Sequence, residues 1–221
     1  MIAKDLIDSN IPTLNSKDNV ERALQIMNDL RIAQLPFVKE NQFEGIFSED
    51  FLLNFELDTL LSELPSIKEE IRIKPFTPIL EIIKSFENAQ TEILPVISEQ
   101  NLFEGIIEKK HAYQSFVKQL SLNEPGGIIE INLANRDYSL YEISRIIENE
   151  NAKITCLYFS KSNIEINNNI LLTIKLDISQ ISNVVNSLGR YGFDVTAYYA
   201  IEPVANLEKD RYDMLMKYLS I

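Results

Sequence analysis

The first half of the chain repeats one pattern of apolar and polar positions. A stretch with apolar residues at helical spacing is followed by two short strand-like runs joined by a polar turn, and then by a further helical stretch. In the first copy, this pattern predicts a helix over residues 19–31, strands over 35–39 and 43–47, and a helix over 49–56. We expect Asp18 to cap the first helix, with Glu21 three residues on to complete a capping box.

The second copy follows the first at an almost constant offset. Both copies contain the letters FEGI, at residues 43–46 and 103–106, and the second copy has one extra residue in its turn. Thr77 is predicted to cap a helix that begins at Pro78 and ends near residue 88, followed by strands over 93–97 and 102–107 and a helix to about 120. Short strands over 12–14 and 71–74 precede the two capped helices, so each copy has the order β-α-β-β-α. A unit of this size cannot bury its hydrophobic face alone, so we expect the two copies to pack on each other.

The second half begins after the turn-rich sequence SLNEPGG, which predicts a domain boundary near residues 123–127. Strands are then predicted over 128–133, 154–160, 170–176 and 193–201. A helix capped by Ser139, with Glu142 completing a capping box, precedes the second of these strands. A helix capped by Asp177, and ended by Gly189 or Gly192, precedes the last one. The resulting order, βαββαβ, is the ferredoxin-like order.

The predicted fold class is therefore mixed α/β (α+β), with three parts. The repeat pair occupies residues 1–122, with repeats at about 1–56 and 57–122, and the βαββαβ domain occupies 127–203. One more helix is predicted over 204–221. Its apolar stripe is expected either to cover its own domain or to form a dimer contact, and the sequence leaves both alternatives open.

Composition narrows the class of partner. The chain of 221 residues carries a formal net charge of −12, which argues against a nucleic-acid partner or an anionic membrane surface. No apolar run reaches the roughly 18 to 20 residues of a membrane span, and the N-terminus lacks the apolar core of a signal peptide. Cys156 is the only cysteine, which rules out an internal disulfide and is typical of a reducing cytoplasm. We therefore predict a cytoplasmic protein.

The repeated motif resembles a tandem pair of CBS domains. The residues that carry the resemblance are the Leu-Pro strand, the turn, the strands containing Gly45 and Gly105, and the helix after each strand. The element order of the second half, with Gly-Phe-Asp-Val over residues 192–195, resembles an ACT domain. The combination is similar to the CBS–ACT proteins of the acetoin-utilisation type and covers nearly the whole chain. An ACT-type amino-acid site would lie in the loop over residues 135–138, which has no glycine here.

The CBS resemblance implies an adenine nucleotide in a cleft between the repeats. In the family pattern, a hydroxyl after the glycine strand meets phosphate and an Asp three residues later meets the ribose. Ser48 stands at the hydroxyl position, Asp50 lies one residue before the acid position, and Thr13 is assigned to the same ligand site. In the second copy, Glu108 and His111 replace the two groups, and a carboxylate repels phosphate. The alternative role of Ser48 and Asp50 is to cap a helix and stabilise its dipole.

Three functional classes follow from these residues. The first is a non-enzymatic regulatory protein that senses a small ligand, with an adenine nucleotide as the candidate. The second, kept as the alternative, is an interaction or assembly protein whose clefts bind nothing. An enzyme is disfavoured because His111 is the only histidine and Cys156 lies in a predicted apolar strand. No cofactor and no metal site is predicted. We also predict a homodimer, because not all aromatic residues of two short predicted helices can face one small core: Phe51, Phe55, Tyr113 and Phe116.

Overall fold

The computed structural model of the protein describes residues 1–8, 10–65, 72–133, 138–161 and 170–200. The chain divides into two compact units, the first Met1–Phe116 and the second from Val117 onwards. The predicted mixed α/β fold class is confirmed, with small antiparallel sheets and helices in both units. The predicted boundary near residues 123–127 stays a prediction, which limited proteolysis would test.

The first unit contains two copies of one supersecondary structure. The first copy consists of α1 (Val20–Leu30), β1 (Gln34–Lys39), β2 (Gln42–Ser48) and α2 (Glu49–Leu52). The second consists of α3 (Ile79–Ala89), β3 (Ile93–Ile97), β4 (Phe103–Glu108) and α4 (Lys109–Gln119). In each copy the two strands pair antiparallel. A third segment pairs in parallel with the first strand, through Leu14 with Phe37 and through Ile73 with Val96.

The two hairpins differ at their turns, as the extra residue of the second copy requires. Between β1 and β2, Glu40 and Asn41 both have positive φ, 50° and 65°, which is the backbone of a two-residue type I′ turn. Between β3 and β4 the turn is longer and is closed by a hydrogen bond from the N–H of Asn101 to the carbonyl of Ser98, at 3.1 Å. The two strands predicted in each copy are therefore present, and the copies differ where their lengths differ.

Each copy is completed by a short segment that belongs, by its position in the chain, to the other copy. The 3₁₀ turn Ala3–Leu6 packs into the core of the second copy, where the N–H of Ala3 donates to the carbonyl of Thr77 at 2.9 Å. The 3₁₀ turn Leu61–Glu63 packs in the same way on the first copy, where the N–H of Leu61 donates to the carbonyl of Asp18 at 3.0 Å. The copies thus exchange their leading segments, which ties them into one unit.

The two copies also share a third, central core. Ile46 and Ile106, which hold the same place in the repeated FEGI sequence, are both buried in it, at 2% and 1% exposure. The rings of Phe43 and Phe103 stack with centroids 6.5 Å apart. Equivalent residues of the two copies are therefore in direct contact, in agreement with the predicted packing of the copies on each other.

Three predicted helix caps are wrong. Asn19, not Asp18, caps α1, because the Asp18 carboxylate accepts hydrogen bonds from the backbone and side-chain nitrogens of Asn15 instead, at 2.8 and 2.6 Å. Pro78, not Thr77, holds the N-cap position of α3, since the Thr77 hydroxyl accepts from a backbone N–H earlier in its loop. Asp177 accepts from the N–H of Lys153, at 2.7 Å, and does not begin a helix.

The helix predicted over 49–56 is shorter in the structure. It covers only Glu49–Leu52, because the side-chain amide of Asn54 donates to the carbonyls of Asp50 and Phe51, at 2.7 and 3.2 Å, and so satisfies groups that a longer helix would have used. Phe51 and Phe55 then fold back onto the core of the first copy.

The second unit has the predicted βαββαβ order. Its elements are β5 (Ile128–Leu133), α5 (Leu140–Asn149), β6 (Ile154–Lys161), β7 (Ile170–Leu176), α6 (Ser182–Arg190) and β8 (Asp194–Tyr199). The strands form one antiparallel sheet in the order β6-β7-β5-β8, which is the ferredoxin-like arrangement. Both helices pack against one face of the sheet, where every second residue of β5 is buried. Ser139 caps α5 as predicted.

The glycines of SLNEPGG have a packing role. A Cβ on Gly126 would lie 1.9 Å from the carbonyl oxygen of Leu176, and one on Gly127 would lie 2.4 Å from Cγ2 of Ile181. Only a backbone without side chains can pass this close to the end of β7. The predicted C-terminal helix over 204–221 and the loop residues Asn135, Arg136 and Asp137 lie outside the described residues.

Candidate functional site

The first-copy sheet has two different faces, and the predicted site residues lie on the one turned away from the helices. Leu35 and Phe47, which are opposite each other in the ladder, pack into the helical core. Ile46 points the other way and joins the central core between the copies. Because side chains alternate along a strand, Ser48 lies on the same face as Ile46. The hydroxyl of Ser48 is therefore directed towards the boundary between the two copies.

Ser48 occupies the N-cap position of α2 but does not act as a cap. Its backbone is extended, with φ −105° and ψ 153°, and its hydroxyl makes no capping hydrogen bond. The half-buried side chain is therefore available to a ligand. Asp50 is exposed in the first turn of α2. Its backbone carbonyl accepts from Asn54, whereas its carboxylate has no partner among the residues that the structure describes.

Thr13 lies on the same face as Ser48 but on the other side of β1. Its neighbour Leu14 is buried in the helical core and pairs with β1 through hydrogen bonds with Pro36 and Val38, at 2.8 and 2.9 Å. Thr13 consequently points away from that core and is exposed. Two strand spacings, about 9.6 Å in total, separate the segment of Thr13 from β2, and Ser48 is also offset along the strands because it stands opposite Gln34. The two hydroxyls can act together only on a ligand that spans β1.

Gln34 is a residue of this face that sequence reasoning missed. It stands opposite Ser48 in the ladder. Its side-chain oxygen accepts hydrogen bonds from the hydroxyl of Thr91, at 2.7 Å, and from the N–H of Glu92, at 3.0 Å. Thr91 is fully buried. Gln34 therefore holds the start of β3 beside the candidate site. A signal was present in the repeat, because the equivalent residue of the second copy is the apolar Ile93.

The equivalent place in the second copy is filled by an ion-pair network. The Lys109 ammonium lies 3.9 Å from a carboxylate oxygen of Glu87 and 3.9 Å from one of Glu92. The hydroxyl of Tyr113 donates to the same Glu87 carboxylate, and this hydrogen bond raises the pKa of Tyr113 above its ordinary value. The Lys109 ammonium therefore already has two carboxylate partners. Glu108 is half-buried one residue before it.

The remaining sequence candidates for chemistry lie elsewhere. Cys156 is buried in β6, as expected for a small apolar residue of that strand. Across the described ranges, no group of His, Cys, Asp and Glu side chains is arranged to hold a metal ion. None of the helices in those ranges is both long and apolar enough to cross a membrane. The candidate site therefore offers hydroxyl and amide groups for hydrogen bonding to a ligand. The carboxylates of Asp50 and Glu92 lie beside these groups.

Comparison with known proteins identifies part of the first unit. The family model of the CBS domain matches residues 3–50. The matched stretch contains Thr13, Ser48 and Asp50, and it confirms the resemblance of the first copy to a CBS domain. The resemblance of the second half to an ACT domain, and that of the whole chain to the acetoin-utilisation type, stay predictions.

Several solved structures are similar over about half of the chain. A CBS domain pair/ACT domain protein from Thermotoga maritima is 18% identical, over 53% of this chain and 98% of that one, with a TM-score of 0.49. CBSX2 in complex with AMP is 14% identical, over 53% and 96%, with a TM-score of 0.47. The cytosolic domain of the Mg²⁺ channel MgtE in complex with ATP is 18% identical, over 52% and 48%, with a TM-score of 0.44.

Proposed function

We propose that this chain is a non-enzymatic regulatory module that senses an adenine nucleotide in the cleft between its two copies. Ser48 and Asp50 are the proposed contacts to phosphate and ribose, and Thr13 is the contact on the far side of β1. One observation carries the proposal: the Ser48 hydroxyl stands at a helix N-cap yet makes no capping hydrogen bond, on the face turned towards the second copy. A polar group left in this state is suited to an external partner.

The surroundings of Ser48 support a preformed site. Gln34 is fixed by hydrogen bonds to Thr91 and Glu92, so one side of the cleft is held in place without a ligand. The N–H of Glu49 donates to the carbonyl of Ala33 at 2.9 Å, which fixes the start of α2. A ligand would therefore bind without first ordering these segments, and less of its interaction energy would be lost to ordering.

Calorimetric titration with AMP, ADP and ATP tests this function. We expect saturable binding that weakens at least about tenfold in Ser48→Ala, since one charge-assisted hydrogen bond contributes about 1.5–3 kcal/mol. Asp50→Asn should weaken it as well. Glu108→Gln is the matched control at the equivalent position of the second copy and should leave the affinity unchanged. Binding that survives Ser48→Ala combined with Asp50→Ala, but is lost on Glu108→Lys, would place the nucleotide in the other copy.

The second candidate function is an interaction or assembly protein whose cleft binds no nucleotide. The carboxylates of Asp50 and Glu92 near the site favour it, because they repel phosphate, and the nearby Lys109 is already paired with Glu87 and Glu92. A thermal-shift screen separates the two functions. A nucleotide at about 100 times its dissociation constant stabilises a protein by roughly 2.7 kcal/mol. No shift with any adenine nucleotide, or with S-adenosylmethionine, would favour the assembly function.

We also propose that the chain is a cytoplasmic homodimer, with the surface near α2 as the contact. Phe51, Phe55 and Phe116, expected at this contact from the sequence, instead pack on the cores of their own copies. The exposed apolar residues there are Leu53 and Leu57, 65% and 55% exposed. Light scattering at micromolar concentration should give twice the mass of 25.4 kDa. A monomer, or a dimer that Leu53→Glu with Leu57→Glu leaves intact, would reject this contact.

A further inference from the structure

The second copy contains an open cavity of about 440 Å³ that none of the proposed nucleotide contacts line. One wall is the loop before α3, which includes Lys74, Pro75 and Phe76, and the other is the turn between β3 and β4, with Glu99. Glu104 of β4 completes the lining. This volume falls within the range of small-molecule sites, about 300–1,000 Å³.

Both walls of the cavity are held by their own hydrogen bonds. In the loop, the N–H of Thr77 donates to the carbonyl of Lys74 at 3.0 Å, and the N–H of Lys74 donates to the hydroxyl of Thr77 at 3.2 Å. In the turn, the hydroxyl of Ser98 accepts from the N–H of Leu102 at 3.1 Å. The shape of the cavity therefore exists before any ligand arrives, which lowers the cost of binding.

The charged groups of the cavity have no partners within the described part of the chain. Lys74, Glu99 and Glu104 take part in none of the side-chain hydrogen bonds or ion pairs formed there. One ammonium and two carboxylates give the cavity a charge of −1. A simple amine would pair with one carboxylate but leave Lys74 without a partner, and a neutral zwitterion would leave one carboxylate uncompensated. The complementary ligand carries one carboxylate and two cationic groups.

An aromatic ring stands at the mouth of the cavity. Phe76 is 75% exposed, the largest exposed fraction among the large hydrophobic side chains of the described residues, and it lines the cavity. Exposing a phenyl ring is unfavourable unless something covers it. A planar cation stacks on such a face, and guanidinium does so better than ammonium because it is delocalised and weakly hydrated.

We propose that this cavity binds a free α-amino acid with a cationic side chain, with arginine favoured over lysine. The ligand carboxylate pairs with Lys74, its α-ammonium and guanidinium pair with Glu99 and Glu104, and the guanidinium plane lies on Phe76. The site is separate from the nucleotide site and does not depend on it, so either can fail without the other.

The test is a calorimetric titration of the full chain with arginine, agmatine and leucine. Agmatine lacks the carboxylate and leucine lacks the side-chain cation. We expect arginine to bind saturably, agmatine about tenfold more weakly, and leucine not at all up to millimolar concentration, since each loses one charge-assisted contact. In Lys74→Ala, arginine should lose its advantage over agmatine, because the ammonium that pairs with its carboxylate is gone and only the two carboxylates remain.

Variants of the other lining residues locate the site. Glu104→Gln and Phe76→Ala should each weaken arginine binding about tenfold. Glu44→Gln, at the equivalent position of the first FEGI sequence, is the matched control and should bind arginine like the unchanged protein. These side chains are exposed or half-exposed, so circular dichroism should show folded variants. The proposal is overturned if arginine does not bind, if leucine or agmatine binds as tightly, or if binding persists in Glu104→Gln combined with Lys74→Ala.

Discussion

Replacing Gly105 by alanine tests the contact that brings the N-terminal segment onto the second copy. Gly105 has φ +146°, a conformation that side chains rarely adopt, and a Cβ there would lie 2.4 Å from Cγ2 of Ile7. The N–H of Asp8 donates to the carbonyl of Ile106 at 2.9 Å, so the backbone cannot move away freely. Gly105→Ala should therefore strain the backbone and push the first segment off β4.

The expected loss in the free energy of unfolding caused by Gly105→Ala has two separable parts. A side chain held in a disfavoured backbone conformation costs about 1–3 kcal/mol, and forcing an extra methyl group into a packed contact costs about 1–3 kcal/mol more. The sum is a loss of about 2–6 kcal/mol. Ile7→Ala removes Cγ2 and leaves the Ile7 Cβ at 3.6 Å, an ordinary contact. In that background Gly105→Ala should cost only the backbone part, so the coupling between the two changes should be about 1–3 kcal/mol.

Urea unfolding followed by circular dichroism and tyrosine fluorescence measures both parts. The two units can unfold separately, so the transitions must first be assigned. Gly192→Ala does this, because Gly192 lies in the second unit with φ +86° and has no atom within 4 Å of its added Cβ. It should move only the transition of that unit, by about 1–2 kcal/mol.

Equal costs of Gly105→Ala with Ile7 and with Ala at position 7 would refute the reasoning. They would mean that Ile7 does not lie against Gly105, and that the leading segment does not cross β4. An unchanged slope of free energy against urea concentration is also required, because a changed slope would indicate a different unfolded or native state.

Further changes probe other parts of the molecule. Ile46→Ala and Ile106→Ala should each cost about 2–5 kcal/mol in urea unfolding, because both create a cavity in the central core; a loss near zero at both would contradict the shared core. Gly126→Ala should cost about 3 kcal/mol, since its Cβ would meet a backbone carbonyl at 1.9 Å that no rotamer change can relieve, and an unchanged midpoint would show that this segment lies elsewhere. The hydrogen bond to Glu87 raises the pKa of Tyr113 above 10.0, so its contribution to stability is present below the unfolded pKa and is lost as pH rises through the folded one. Tyr113→Phe should therefore be less stable than the unchanged protein at neutral pH, with a difference that shrinks in alkaline solution, and a difference that grows there would reverse the sign of the argument.

The sequence predicted the strands better than the helix caps. The limits of β3, β5 and β7 agree with the predicted ones, because each is a dense apolar run bounded by turn residues. Ser139 caps its helix as predicted, whereas the caps predicted at Asp18, Thr77 and Asp177 failed. Asp and Thr side chains have several possible backbone partners, and the local sequence pattern does not decide among them. The Asp18 carboxylate accepts from the N–H of Asn15, and the Asp177 carboxylate accepts from the N–H of Lys153 on a neighbouring segment.

For the candidate site, sequence reasoning found the residues that follow a motif and missed the one that joins the copies. Ser48 was identifiable because it follows the repeated glycine strand. Gln34 was not, because its partners Thr91 and Glu92 lie 57 and 58 residues away. The spacing of apolar and polar residues along the chain contains no information about a contact between residues so far apart. Only the mismatch with Ile93 at the equivalent position of the second copy pointed to it.

The exchange of leading segments has a consequence for how the chain is made. The helical core of the first copy can close once Leu64 has left the ribosome, because all of its members lie at or before that residue. Phe43 and Ile46 are covered later, by Ile93 and Ile106 of the second copy. The segment Ala3–Leu6 is synthesised before the first copy but must wait for Ile82 and Ala112 of the second copy. Domains generally fold during synthesis from the N-terminal end, yet here a segment that precedes the first copy docks only after the second copy has been made. A substitution in Ala3–Leu6 would therefore disturb the helical core of the second copy, whereas the helical core of the first copy contains no residue of that segment.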